Sequence, residues 1–204
     1  RPPRSTLFPY TTLFRSYPSD LDGALRTLEN GGLVLFPTDT IWSVGCSVEH
    51  PAAIRRLLQL TRLPDATQTE LLVWSLEALK QLTAHLHPRL ETLLYFHQRP
   101  LTVVAPGADH LPEEALHPDG SVALRIVRDS FCVGLLQAFG GPVLSAPAVT
   151  EGAPYPATFG GISSEIIQGC NHVVRHRQSE RSPGEPSVMV RLSEETEELE
   201  FLRE

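Results

Sequence analysis

The stretch GGLVLFPTDTIWSVGC, residues 31–46, decides the reading of this chain. Leu33, Val34, Leu35 and Phe36 form a short apolar run bracketed by Gly31-Gly32 and Pro37, which suits a strand covered on both faces better than a helix. Pro37 has no N–H to give to a ladder and stiffens the exit. Thr38, Asp39, Thr40 and Trp42 follow at once. Hydroxyls and a carboxylate at the end of a buried strand need partners, and a ligand is one way to supply them; a self-capped turn is the other.

Working outward, the chain alternates between helical and extended patterns. Upstream, Ser19 with Asp22 makes a weak acidic capping box for a helix that buries Leu21, Leu25 and Leu28 and ends at Gly31. Downstream, Pro51 suits a first helical position, and Ile54, Leu57, Leu58 and Thr61 mark one face, with Arg55, Arg56 and Arg62 on or near the other. Residues 70–74 read as a strand, Ser75 caps a helix through Leu76, Leu79 and Leu82, and another helix is expected over 88–97. Strands are expected over 101–105, 122–127, 142–146, 172–175 and 188–192. Between them, Asp129 caps a helix on Val133, Leu136 and Phe139 that ends at Gly140-Gly141, and a short helix lies near 163–168. This alternation predicts an α/β fold of three layers around a mixed sheet.

With 204 residues, 41% of them apolar and 20% charged, one well-packed domain is expected over residues 17–192. Residues 1–16 carry a near-duplicated Thr-Leu-Phe with no periodicity and read as a disordered or non-native extension. Residues 193–204 hold six glutamates against one arginine and read as an acidic tail. No run approaches the roughly 18 apolar residues of a membrane span, and no signal-peptide pattern is visible, so a cytoplasmic location and a monomer are the defaults. Three scattered cysteines favour reduced thiols over a disulfide framework or a zinc knuckle. The net charge of −7 disfavours tight nonspecific binding of a polyanion.

Neither GxGxxG nor a Walker motif is present, so no standard phosphate cradle can be claimed. His172 and His176 have helical metal-pair spacing, but Val173-Val174 between them indicates a strand, and no metal site is assigned. In GSVALRIV, Arg125 stands inside an apolar strand, where it needs an anion: an internal carboxylate such as Asp39 or Glu151, or a ligand's. Thr102, in RPLTVV, is a hydroxyl in a strand, either a β-former or a contact group.

As an ordered set, GGLVLFPTDTIWSVGC, RPLTVVAPG, DGSVALRIV, PVLSAPAVTEGAPYPATF and PSVMVRL resemble the YrdC-like family of L-threonylcarbamoyladenylate synthases over about residues 20–192. The resemblance implies a twisted mixed sheet flanked by helices, with a concave active face. It implies formation of threonylcarbamoyl-AMP from L-threonine, bicarbonate and ATP with Mg²⁺, for N6-threonylcarbamoyl modification of tRNA through downstream transfer proteins. Carried over, Thr38, Thr40 and Trp42 would line the threonine pocket, Arg125 would meet the threonine carboxylate, and Thr102 and Ser187 would approach the nucleotide. The alternative is a non-catalytic YrdC-like module that binds a small molecule or RNA.

The chain departs from the family pattern on the nucleotide side. Where the family carries KxR, this sequence has Thr61, Arg62 and Leu63; where it carries SAN, Pro147, Ala148 and Val149 stand. Arg62 could replace the lost cations, but a shift of one residue turns a helical side chain by about 100°. Ser145 could replace the lost serine after a loop shift. The glycine expected after the aromatic residue is Ser43, and the hydroxyl expected after Ser187 is Val188. Each charge-assisted contact is worth roughly 1.5 to 3 kcal/mol, so losing several would weaken ATP use by orders of magnitude.

Overall fold

The computed structural model describes residues 18–156, 158–193 and 196–204; residues 1–16, expected to be an extension, lie outside them. Among the described residues one mixed sheet runs through the domain. Its strands are β1 (Val34–Phe36), β2 (Ser43–Ser47), β3 (Glu70–Val73), β4 (Leu101–Pro106), β5 (Ser121–Ile126), β6 (Val143–Pro147), β7 (His172–Val173), β8 (Val188–Leu192) and β9 (Leu199–Arg203). They lie in the order β7-β1-β2-β6-β3-β5-β4-β8-β9. The helices are α1 (Pro18–Glu29), α2 (Pro51–Thr61), α3 (Leu76–Lys80), α4 (Pro88–Phe96), α5 (Ser130–Phe139) and α6 (Ser164–Gly169).

The predicted caps do their local work. Ser75 Oγ accepts from Ala78 N at 3.1 Å, and Asp129 Oδ1 accepts from Cys132 N at 3.0 Å. Gly140 ends α5 at φ 77°, a conformation a side chain would strain. Helix α1 starts one residue before Ser19, so the expected cap is already inside it. Asp20 instead accepts from the backbone of Arg175 and His176 at 3.0 and 2.8 Å, tying α1 to the exit of β7.

Strand periodicity divides the core in two. Leu35, Val44, Leu71, Val103, Leu124 and Leu144 pack on one face with Ile54 and Leu57 of α2 and Leu90 of α4. Val34, Phe36, Leu72 and Val143 pack on the other with Leu21 and Leu28 of α1 and Phe131 and Leu135 of α5. These are the three expected layers. The second core includes no residue of β4, β8 or β9, so α1 and α5 cover only part of that face. What they leave is concave and carries the polar residues.

Two elements differ from the sequence reading. The segment after Pro37 turns back as β2, antiparallel to β1, with Phe36 opposite Ser43 and Val34 opposite Gly45. Residues 199–203 of the expected acidic tail form β9 along β8, with Met189 opposite Arg203. Edge pairing there satisfies a row of backbone groups that a free tail would leave to water. No described helix is long and apolar enough to cross a membrane.

Candidate active site

Sheet register assembles the site. Ser145 on β6 sits opposite both Gly45 on β2 and Glu70 on β3. Two residues along β3, Leu72 is opposite Arg125 on β5, which is opposite Thr102 on β4, which is opposite Met189 on β8 and, beyond it, Arg203 on β9. Because side chains alternate across a pleated sheet, these positions project from one face, where Leu72 packs with α1 and α5 and the polar residues lie beyond those helices.

Their polar ends meet in one network. Arg125 is 1% exposed; its Nε donates to Glu70 Oε2 at 2.8 Å and its Nη1 to Asp39 Oδ1. Glu70 Oε1 accepts from Thr102 Oγ1 at 3.0 Å, Ser187 Oγ at 3.2 Å and Arg203 Nη2 at 2.9 Å. Thr102 and Ser187 bond each other at 2.7 Å, and Arg203 also donates to the Ser187 Oγ and carbonyl. Asp39 Oδ2 accepts from Arg128 N at 3.1 Å. Burial disfavours a charged Glu70, but the guanidinium groups of Arg125 and Arg203 outweigh it and hold the carboxyl below its usual range. Burial likewise opposes a charged Arg125, and Glu70 and Asp39 reverse that, raising its pKa.

The turn after β1 forms the adjoining wall. Thr38 Oγ1 accepts from Thr40 N at 3.1 Å and donates to Ile41 O at 2.8 Å. With that proton committed, the 2.8 Å contact between the two threonine hydroxyls has Thr40 donating, which leaves the Thr40 oxygen as an acceptor toward the cleft. Trp42 tilts against Phe159 with ring centroids 4.9 Å apart, and its carbonyl accepts from Ala148 N. Arg177 clamps the turn from outside, donating to Thr38 O at 2.8 Å and to Asp129 Oδ2 at 3.2 Å. Gly184 packs so close that a Cβ there would lie 1.9 Å from the Thr40 carbonyl oxygen, so the segment leading to Ser187 can only close over the turn at a glycine.

Thr40, Ser43, Glu70, Arg125, Ser145 and Ser187, among others, enclose a cavity of only about 20 Å³, room for about one water. Gln68 and Pro147 connect it to a hollow of about 470 Å³ under the loop of residues 149–155. Among the described residues lining that hollow, Glu151 alone carries a charge.

The structure thus brings together Thr38, Thr40, Trp42, Arg125, Thr102, Ser187 and Ser145. It does not bring Arg62 to them. Arg62 caps α2 in the left-handed region at φ 58°, is turned outward and pairs with both oxygens of Glu165 on α6, at 2.9 and 3.0 Å. The helix has already ended at Thr61, so it is the left-handed cap conformation at Arg62, with the pairing to Glu165, that goes with its outward direction. Thr61, where the resemblance implies a lysine, is fully buried and bonds back to Leu57 O at 2.8 Å. Sequence reasoning missed Glu70, Arg203 and Arg177. Of these only Glu70 left a trace, an ionisable residue opening an otherwise apolar strand.

Similarity to known proteins agrees with this architecture. The Sua5/YciO/YrdC family model, described as telomere recombination, matches residues 26–204, and the chain belongs to that family. The threonylcarbamoyl-AMP synthase of Xanthomonas euvesicatoria is 29% identical over 158 residues, which cover 76% of this chain and 84% of that one. The crystal structure of E. coli YciO superposes with a TM-score of 0.79 at 20% identity, covering 90% of this chain and 88% of that chain. The structure of P. abyssi Sua5 complexed with L-threonine superposes with a TM-score of 0.75 at 22% identity, covering 90% of this chain and 53% of that chain.

Proposed function

We propose that this protein is a threonylcarbamoyl-AMP synthase: it joins L-threonine, bicarbonate and ATP, which enters with Mg²⁺ as part of the substrate, and releases pyrophosphate. The observation that carries the reading is the convergence of Thr38, Thr40, Trp42, Arg125, Thr102 and Ser187, from four separate stretches of sequence, on one concave face. The names of the relatives support it. The product would serve N6-threonylcarbamoylation of tRNA through separate transfer proteins, with the synthase acting as a cytoplasmic monomer.

The chemistry asks little of any single side chain. The amine of threonine attacks CO₂ or bicarbonate to give a carbamate, and the carbamate oxygen attacks the α-phosphorus as pyrophosphate leaves. No protein nucleophile is needed; orientation and charge neutralisation are. The acceptor oxygen of Thr40 suits the ammonium or hydroxyl of threonine. Arg125, from β5, suits its carboxylate. Thr102, Ser187 and Ser145 supply hydroxyls on the side where the nucleotide would lie.

A second reading, a binding module without catalysis, is favoured by the single charged residue, Glu151, in the hollow beneath residues 149–155 and by the buried threonine at position 61. One assay separates the two. Purified protein with ATP, Mg²⁺, bicarbonate and L-threonine should release pyrophosphate only when threonine is present; threonine binding without release would establish the module instead.

A further inference from the structure

Arg125, Thr102 and Ser187 are groups that would greet an anionic part of a substrate, yet all three lie within hydrogen-bond distance of the same carboxylate, that of Glu70. Arg203 donates to it as well. Both guanidiniums and at least one of the two hydroxyls, which share two protons among three contacts, donate to Glu70, much as donors gather around a bound carboxylate. Glu70 comes from β3, on the floor of the cleft, and its side chain is 14% exposed, so it is neither a surface ion pair nor sealed in the core. The cavity beside it has room for about one water, too little for an amino acid. A ligand anion can reach these donors only by displacing Glu70.

We propose that Glu70 is a resident anion: it holds the place of a ligand carboxylate or phosphate and sets how strongly the cleft takes an anionic substrate. The inference rests on the reading of Arg125, Thr102 and Ser187 as ligand groups. Removing the negative charge without changing shape exposes their donors to a ligand. Asp39 continues to hold Arg125, so the guanidinium is not orphaned.

Two probes distinguish the sources of the anion: L-threonine for the carboxylate and inorganic pyrophosphate for the phosphates. Calorimetric titration of the full chain should show Glu70→Gln binding at least one of them about tenfold or more tighter than the wild type. Glu70→Thr, which also shortens the side chain, should show the same direction. Equal or weaker binding of both probes by both variants overturns the proposal and makes Glu70 a structural brace for Arg125. In the wild-type chain, the Arg125 Nε–H resonance should stay in place at a probe concentration that saturates Glu70→Gln; a shift would show that Glu70 is no barrier. Threonine-dependent pyrophosphate release is a separate readout. If it is absent while the variants still bind more tightly, the synthase activity fails and the role of Glu70 stands.

Discussion

The two walls of the cleft are built in opposite ways. On one, Glu70 of β3, Arg125 of β5, Arg203 of β9 and Asp39 of the turn after β1 bring two carboxylates and two guanidiniums into one set of hydrogen bonds around Arg125 and Glu70. On the other, the end of α2 and the loop after β6 enclose a hollow whose charge comes from Glu151 alone, with Thr61 buried and Arg62 facing α6. On the first wall, breaking a pair at the buried Arg125 leaves a charge without its partner. The second is held by backbone contacts such as Glu151 N to Thr61 O, at 2.8 Å, and can vary without an electrostatic penalty.

The severest way to break this contrast is Arg125→Ala. It strands Glu70 and Asp39 without their shared cation and should cost about 3 to 5 kcal/mol of stability, read from urea unfolding, with threonine binding lost. A wild-type-like midpoint would mean the network stores little energy.

Next in size is a change that makes the second wall resemble the first. Leu63 lines the hollow at its α2 end. Leu63→Arg should add one charge-assisted contact to a phosphate, worth roughly 1.5 to 3 kcal/mol, and tighten ATP binding by about tenfold or more in a calorimetric titration. No gain would show that the hollow does not receive phosphate.

The pH dependence sharpens the comparison further. Because the folded Glu70 carboxyl titrates below its ordinary value, the ionised group stabilises the fold above the unfolded pKa, and this contribution is lost as pH falls through the folded one. Urea midpoints taken from about pH 7 to about pH 3 should therefore drop more steeply for the wild type than for Glu70→Gln. Parallel curves would contradict the pairing.

The smallest effect belongs to Arg62→Ala. Its side chain is 63% exposed and its partner Glu165 54% exposed, so the loss should be about 0.2 to 1 kcal/mol, with ATP affinity unchanged. A fall in affinity would return Arg62 to the nucleotide site.

Much of this was legible in the sequence. Local signals placed the caps at Ser75 and Asp129, the stop at Gly140 and the helix from Pro51, and alternation marked β4, β5, β6 and β8. The hairpin of β1 and β2 was harder to see, because Ser43, Gly45 and Ser47 break the apolar run that announces a buried strand. Strand β9 was hidden by glutamates; the one within it, Glu200, is exposed and pairs with Arg191 of β8 at 2.7 Å.

Arg125 shows where local reading stops. Its position in an apolar strand established by itself that an anion must lie near, since a buried guanidinium without one is too costly. Which anion was decided by partners 86 and 55 residues away, Asp39 and Glu70. The sequence also put uncharged residues, Thr61 and Leu63, where the resemblance implies cations. Only the tertiary structure decided that Arg62 fails to replace them and that Glu70 stands where a substrate's charge would go. Hydrophobic periodicity and turn chemistry act between near neighbours and so are written along the chain, whereas charge pairing acts through space and depends on a sheet register that exists only after folding.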